Sequence, residues 1–78
     1  MEDLYAIGER AAKAIRDRAK KNRTTLAEEL KKLNFNIYSV YSWEKKGFAP
    51  SAYYLQKIYF AGYDVIYILT GETKNAEN

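Results

Sequence analysis

The chain has 78 residues, which is enough for one small domain and leaves no room for a second. It contains no cysteine and no histidine, so disulfides, thiolate metal sites and Ser-His or Cys-His catalysis are excluded. The balance of 47% apolar and 29% charged residues predicts a soluble globular protein without a membrane span. The acidic N-terminus lacks the apolar segment of a signal peptide, so we expect a cytoplasmic location.

The net charge of +3 is concentrated in the first part of the chain. Residues 1–47 contain 11 Lys/Arg and 7 Asp/Glu, a net charge of +4, whereas residues 48–78 contain 2 and 3, a net charge of −1. Five of the eight residues 16–23 are basic. Such a basic half suggests a polyanionic partner, although cations also stabilise the C-terminal end of a helix without any partner.

The periodicity of apolar residues is helical nearly throughout and predicts an all-α domain. Apolar residues recur every three or four positions over residues 4–19, which predicts a first helix over about residues 4–21. Thr25 and Glu28 have the spacing of a capping box, so we expect a second helix to begin there and to continue to about Leu33.

A short turn separates the second helix from the third. Asn34 tolerates the left-handed conformation of a tight turn, and Asn36 is suited to cap a third helix from Ile37 to about Lys46. Phe35 is apolar inside this turn, so we expect its side chain to fill the core between the two helices.

The last part of the chain is predicted to hold two more helices. Ser51 is expected to cap the fourth helix and Asp64 to cap a fifth over about residues 65–69, where an apolar, partly β-branched run leaves a strand as the alternative. Residues 1–71 then form the domain, and residues 72–78 form a polar tail that we expect to be disordered.

The second and third helices have the pattern of a helix-turn-helix, because two short helices are joined by about three residues and share an apolar inner face. Val40 and Trp43 belong to that inner face. Hydroxyls, aromatic rings and lysines suit a surface that lies in a DNA groove, where they reach base edges, thymine methyls and phosphates. Seven further side chains of the third helix are of these kinds or, at Ile37, aliphatic and able to touch a thymine methyl, although the two tyrosines also suit a small core: Ile37, Tyr38, Ser39, Tyr41, Ser42, Lys45 and Lys46.

Residues 33–47 resemble the turn and recognition helix of lambdoid phage repressors and Cro proteins, which belong to the wider Xre-like family of regulators. Residues 50–58 are similar to the fourth helix of that family, and residues 62–71 are similar to its closing segment. The resemblance covers about residues 7–71 and implies a compact five-helix, lambda-repressor-like DNA-binding domain. The sequence departs from the family at Leu26, where a phosphate-binding glutamine is common.

The resemblance also implies roles for individual residues of the helix-turn-helix. Glu44 matches a glutamate that pairs with an arginine of the first helix, and Arg18 is the nearest candidate for that partner. The positions that read bases fall on Asn36, Ile37, Tyr38, Tyr41 and Ser42. The positions that contact phosphates fall on Thr25, Ser39, Lys45 and Lys46.

Members of this family dimerise on two half-sites, usually through the closing segment. The interface candidates in this sequence are Tyr63, Val65, Ile66 and Tyr67.

The sequence therefore predicts a sequence-specific DNA-binding regulator, a phage- or prophage-type repressor or Cro-like protein, with double-stranded DNA as its partner and a homodimer as its working form. We expect no cofactor, no metal and no enzymatic activity, because Glu28 and Glu29 point about 100° apart on a helix and the glycines form no phosphate loop. The alternative is a small helical protein-interaction module or an antitoxin-type adaptor.

Overall fold

The computed structural model describes residues 4–72, with side chains described from residue 6 onward. This part of the chain is entirely helical and contains no strand, so the strand alternative for the last element is wrong. The predicted tail lies outside the described residues apart from Glu72. No helix in this part combines the length and the hydropathy needed to cross a bilayer. The helices are α1 (Leu4–Lys21), α2 (Leu26–Leu33), α3 (Ile37–Lys45), α4 (Ala52–Phe60) and α5 (Val65–Thr70).

Local side-chain chemistry sets the limits of α2 and the beginning of α3, as predicted. The Thr25 hydroxyl accepts a hydrogen bond from the backbone N–H of Glu28, and the Glu28 carboxylate accepts one from the backbone N–H of Thr25. Asn34 ends α2 in the left-handed conformation with φ 61°. The Asn36 side chain accepts a hydrogen bond from the backbone N–H of Tyr38 at 2.8 Å and so caps α3. The turn between α2 and α3 is therefore fixed by its own residues.

The beginnings of α4 and α5 differ in how they are capped. The Asp64 side chain accepts a hydrogen bond from the backbone N–H of Tyr67 at 3.0 Å, as predicted. Ser51 is the N-cap residue of α4, as predicted, but its side chain makes no capping hydrogen bond. Ser51 is exposed, so water can satisfy the first N–H groups of α4.

The core is built around α1, which packs against α2, α3 and α5, while α4 packs against α5. Small side chains on α1 allow this close approach of three helices to one. Fully or almost fully buried side chains come from every helix, from the turn before α3 and from the connection before α5: Ala11, Ala12, Ile15, Leu30, Leu33, Phe35, Val40, Trp43, Ile58, Tyr63 and Ile68.

Phe35 fills the core from within the turn, as predicted, and it is 8% exposed. Its ring makes edge-to-face contacts with Tyr54 and Trp43, with centroid distances of 4.8 and 6.2 Å. Trp43 and Tyr54 also contact each other, at 5.5 Å. This aromatic cluster connects the turn, α3 and α4.

Two arginines of α1 hold the last part of the chain in place. Arg10 donates from Nε to the carbonyl of Ile68 at 2.9 Å and from Nη2 to the carbonyl of Leu69 at 3.2 Å, and so satisfies the end of α5. Arg18 donates to the carbonyl of Ala61 at 2.7 Å. The guanidinium groups of α1 therefore fix the position of α5 and of the connection before it.

Candidate nucleic-acid interface

The outer face of α3 carries the exposed residues of the predicted recognition helix. Tyr38 is 72% exposed and Tyr41 is 40% exposed, and their rings contact each other with centroids 6.3 Å apart. Lys45 is exposed on the same face because it lies seven residues after Tyr38, or about two helical turns. Val40 and Trp43 point into the core from the opposite face, as predicted. The alternative of two core tyrosines is wrong for Tyr38 and Tyr41.

Hydrogen bonds within the chain limit what the polar side chains of α3 can offer. The Asn36 side-chain oxygen caps the helix, which leaves the amide nitrogen of this exposed residue for a ligand. Ser42 donates to the carbonyl of Tyr38 at 3.0 Å and retains only its acceptor capacity. The hydroxyls of Ser39 and Tyr54 are 3.2 Å apart and bonded to each other. Ser39 therefore faces α4, on the inner side of the predicted surface.

The other predicted contact residues lie around this face. Ile37 is half-buried and packs against the core, so only part of its side chain is available. Lys46 is exposed directly after the last residue of α3. Thr25 is exposed at the beginning of α2, but its hydroxyl is engaged in the capping box with Glu28. The structure thus brings Tyr38, Tyr41 and Lys45 to one exposed stripe and leaves the others at its edges.

Glu44 pairs with an arginine of α1, but the partner is Arg16 and not Arg18. Nε and Nη2 of Arg16 donate to the two carboxylate oxygens, the latter at 2.9 Å, and the Glu44 side chain is 23% exposed. The pair is therefore partly exposed. The hydrogen bonds from Arg16 hold the pKa of Glu44 below its ordinary value of 4.5, so the carboxylate stays charged and neutralised.

The four predicted dimer residues do not lie on one surface. Tyr63 is 7% exposed and belongs to the core, so it is not available as an interface residue. Val65 and Tyr67 are half-buried against the core, and Ile66 is 54% exposed. Of the four, Ile66 alone presents most of its side chain to a partner.

A second exposed aromatic surface lies on α4 and was not predicted from the sequence. Tyr53, Tyr59 and Phe60 are 58%, 61% and 76% exposed. Their positions relative to the buried Ile58 place them on the outer side of the helix, a signal present in the helical period of the sequence. We refer to Tyr53, Tyr59 and Phe60 as the α4 aromatic surface.

No protein-family model matches the chain, and neither a curated protein nor a solved structure matches it. The function must therefore be inferred from the residues and the geometry of this chain. Among the described residues no group of acidic side chains is arranged to hold a metal ion.

Proposed function

We propose that this protein is a sequence-specific DNA-binding transcriptional regulator, a phage- or prophage-type repressor or a Cro-like protein. In this proposal α2 and α3 act as a helix-turn-helix, and α3 enters the major groove of an operator with Tyr38 and Tyr41 toward the base edges.

The observation that carries this proposal is the chemistry of the exposed stripe on α3. Its two tyrosines offer hydroxyls and rings to base edges, and Lys45 offers a cation to a phosphate. Glu44 is the acidic residue of α3, and its charge is already neutralised by Arg16. A polyanion therefore meets no uncompensated negative charge on this helix.

The distribution of charge supports the same partner. Within the described residues the basic excess comes from the part of the chain that ends at Lys46, whereas residues 48–72 contain a single lysine against two acids. A duplex approaching α3 is thus attracted by the basic side chains of α1, α2 and α3.

We further propose that two copies bind two half-sites about one helical turn apart, some 34 Å, because one copy of α3 contacts few base pairs. Ile66 and the half-buried Val65 and Tyr67 are the remaining candidates for contact between the copies. The stoichiometry of the complex on a selected duplex measures this part of the proposal.

The alternative function, a protein-interaction module or an antitoxin-type adaptor, is supported by the α4 aromatic surface. Aromatic residues are enriched at the energetically dominant positions of protein interfaces. Tyr59 and Phe60 contact each other, with ring centroids 5.4 Å apart, and both rings are largely exposed. A protein partner would therefore be expected on α4 and not on α3.

Selection from a random duplex pool at two salt concentrations tests the two functions against each other. We expect a palindromic or pseudo-palindromic site whose affinity falls steeply with salt. Tyr38→Ala should weaken binding to that site by about 5-fold or more, since a base contact is worth about 1–3 kcal/mol. Tyr59→Ala removes an equally exposed ring from α4 and serves as the matched control.

The result that contradicts the DNA proposal is the absence of an enriched site at low salt. Equal affinity of the wild type and Tyr38→Ala for the selected site would contradict the role of α3 while leaving DNA binding intact. In the first case the α4 aromatic surface becomes the first place to look for a protein partner.

A further inference from the structure

An open groove of about 810 Å³ runs along α1, beside the beginning of α2 and the end of α3. Glu9, Lys13 and Lys20 line it from α1, and Lys45 lines it from α3. Glu9 and Lys20 are eleven positions apart on the same helix, so the groove follows α1 for about 16 Å. Successive phosphates of one DNA strand are about 3.4 Å apart along the axis, so the groove is long enough for several of them.

Acidic residues in the middle of the groove are already paired with cations of the chain. Asp17 accepts a hydrogen bond from Lys13 at 2.7 Å, and Glu44 is held by Arg16. Lys20 forms no salt bridge with any residue that the structure describes. The groove therefore has a neutral middle, the carboxylate of Glu9 at one end and an unneutralised cation, Lys20, at the end where α1 approaches α2.

Lys45 connects this groove with the exposed stripe of α3. It belongs to both surfaces, since it lies four residues after Tyr41 and also lines the groove. From Tyr38 to Lys45 the helix advances by about 10 Å, close to the major-groove width of about 12 Å. With Tyr38 at the base edges, Lys45 therefore reaches the phosphate wall, and the groove behind it continues along α1.

We propose that the part of this groove between Lys20 and Lys45 is a channel for the DNA backbone, in which Lys20 and Lys45 each neutralise one phosphate. This inference rests on the proposed function, and it adds α1 to the DNA-contacting surface. Lys20 then contributes affinity without sequence preference, because phosphate contacts carry no base information.

The salt dependence of binding tests the channel directly. The logarithm of the binding constant decreases linearly with the logarithm of the salt concentration. The magnitude of this slope falls by about 0.9 for each phosphate contact that is lost. We expect Lys20→Gln to lower the slope by about 0.9 and the double variant with Lys45→Gln by about 1.8, with the preferred site unchanged. Lys31→Gln is the matched control, because Lys31 is exposed on α2 and does not line the groove.

Any other outcome contradicts the proposed channel. An unchanged slope for Lys20→Gln would show that no phosphate is neutralised there, and an equal fall for Lys31→Gln would show that the attraction is diffuse. In both cases the wild type still binds its site and the proposed function stands. If the wild type binds no duplex, the proposed function and the channel fail together. Equal melting temperatures of all variants verify that the fold is retained.

Discussion

The ring of Tyr63 lies in the core, and no described group forms a hydrogen bond with its hydroxyl. The Arg18 guanidinium lies over the ring, 3.5 Å from its centroid, while donating its hydrogen bond to Ala61. Among the described residues this buried hydroxyl has no hydrogen-bond partner. Burial raises the pKa of the phenol, so the group stays neutral. The ring therefore stabilises the core while the hydroxyl opposes burial.

Removing that hydroxyl should not destabilise the fold. We expect Tyr63→Phe to leave the free energy of unfolding unchanged or to raise it by up to about 1 kcal/mol, because the buried unpaired group costs about that much. Tyr54→Phe is the control, since its hydroxyl is bonded to Ser39, and it should cost about 0.5–1.5 kcal/mol. Thermal unfolding measures both, and a clear loss in Tyr63→Phe would contradict the unpaired hydroxyl.

The partner of Glu44 illustrates what sequence spacing leaves open at the residue scale. Arg16 and Arg18 are two positions apart on α1, and their side chains therefore point about 200° apart. One faces α3 and the other faces Tyr63 and the connection before α5. The sequence predicts a pair between the helices, but the rotation of α1 depends on tertiary packing and decides which arginine forms it.

At the scale of the element, helices with local stop and start signals were predictable. Asn34, Asn36 and Asp64 act through their own backbone neighbours, so their roles are visible in the sequence. The mutual position of helices was not visible in this way. Gly8 is the clearest example, because it lies inside α1, where a glycine normally weakens a helix.

Gly8 is required by the crossing of α1 with the end of α3. A Cβ atom at this position would lie 2.5 Å from the carbonyl oxygen of Phe48 and 2.8 Å from that of Trp43. Both contacts are with backbone, which cannot move as a flexible side chain does. The two helices would have to separate to admit a methyl group.

We therefore expect Gly8→Ala to destabilise the fold by about 1–3 kcal/mol, as overpacking does, although the same change at an open helical site stabilises by about 0.5–1 kcal/mol. Glu9→Ala, at the exposed neighbouring position, should stay within about 0.5 kcal/mol of the wild type. Chemical denaturation measures both. A more stable Gly8→Ala protein would mean that α1 and α3 are further apart than described.

At the scale of the whole molecule, two charged carboxylates hold a connection and a helix end in place. Glu29 is 3% exposed and accepts hydrogen bonds from Thr24 at 2.8 Å and from Lys32 at 3.2 Å. The hydrogen bond from Thr24, followed by those from Lys32 and Asn22, holds the pKa of Glu29 below its ordinary value of 4.5. Together with Glu44, this carboxylate ties the connection after α1 and the end of α3 to the rest of the fold.

Acid should therefore weaken the fold through these two carboxylates. A lowered folded-state pKa stabilises the protein above the unfolded-state value, about 4.3, and this contribution is lost as the pH falls through the folded-state pKa. We expect a constant melting temperature from pH 7 to about 5.5 and a decline below about pH 4.5. The difference in melting temperature between the wild type and Glu29→Gln should shrink as the pH falls below about 4.5. A gap that stays constant to pH 2 would contradict the lowered pKa.

Trp43 and Tyr38 lie on opposite faces of α3, which has a consequence for fluorescence. Trp43 is the single tryptophan of the chain, is 3% exposed, and lies within the cluster with Phe35 and Tyr54. Its fluorescence is thus an internal reporter of unfolding that needs no label. Since Tyr38 faces away from the indole, a ligand docked on the outer stripe leaves the emission unperturbed, and any spectral change on adding DNA would signal that the interior itself has rearranged.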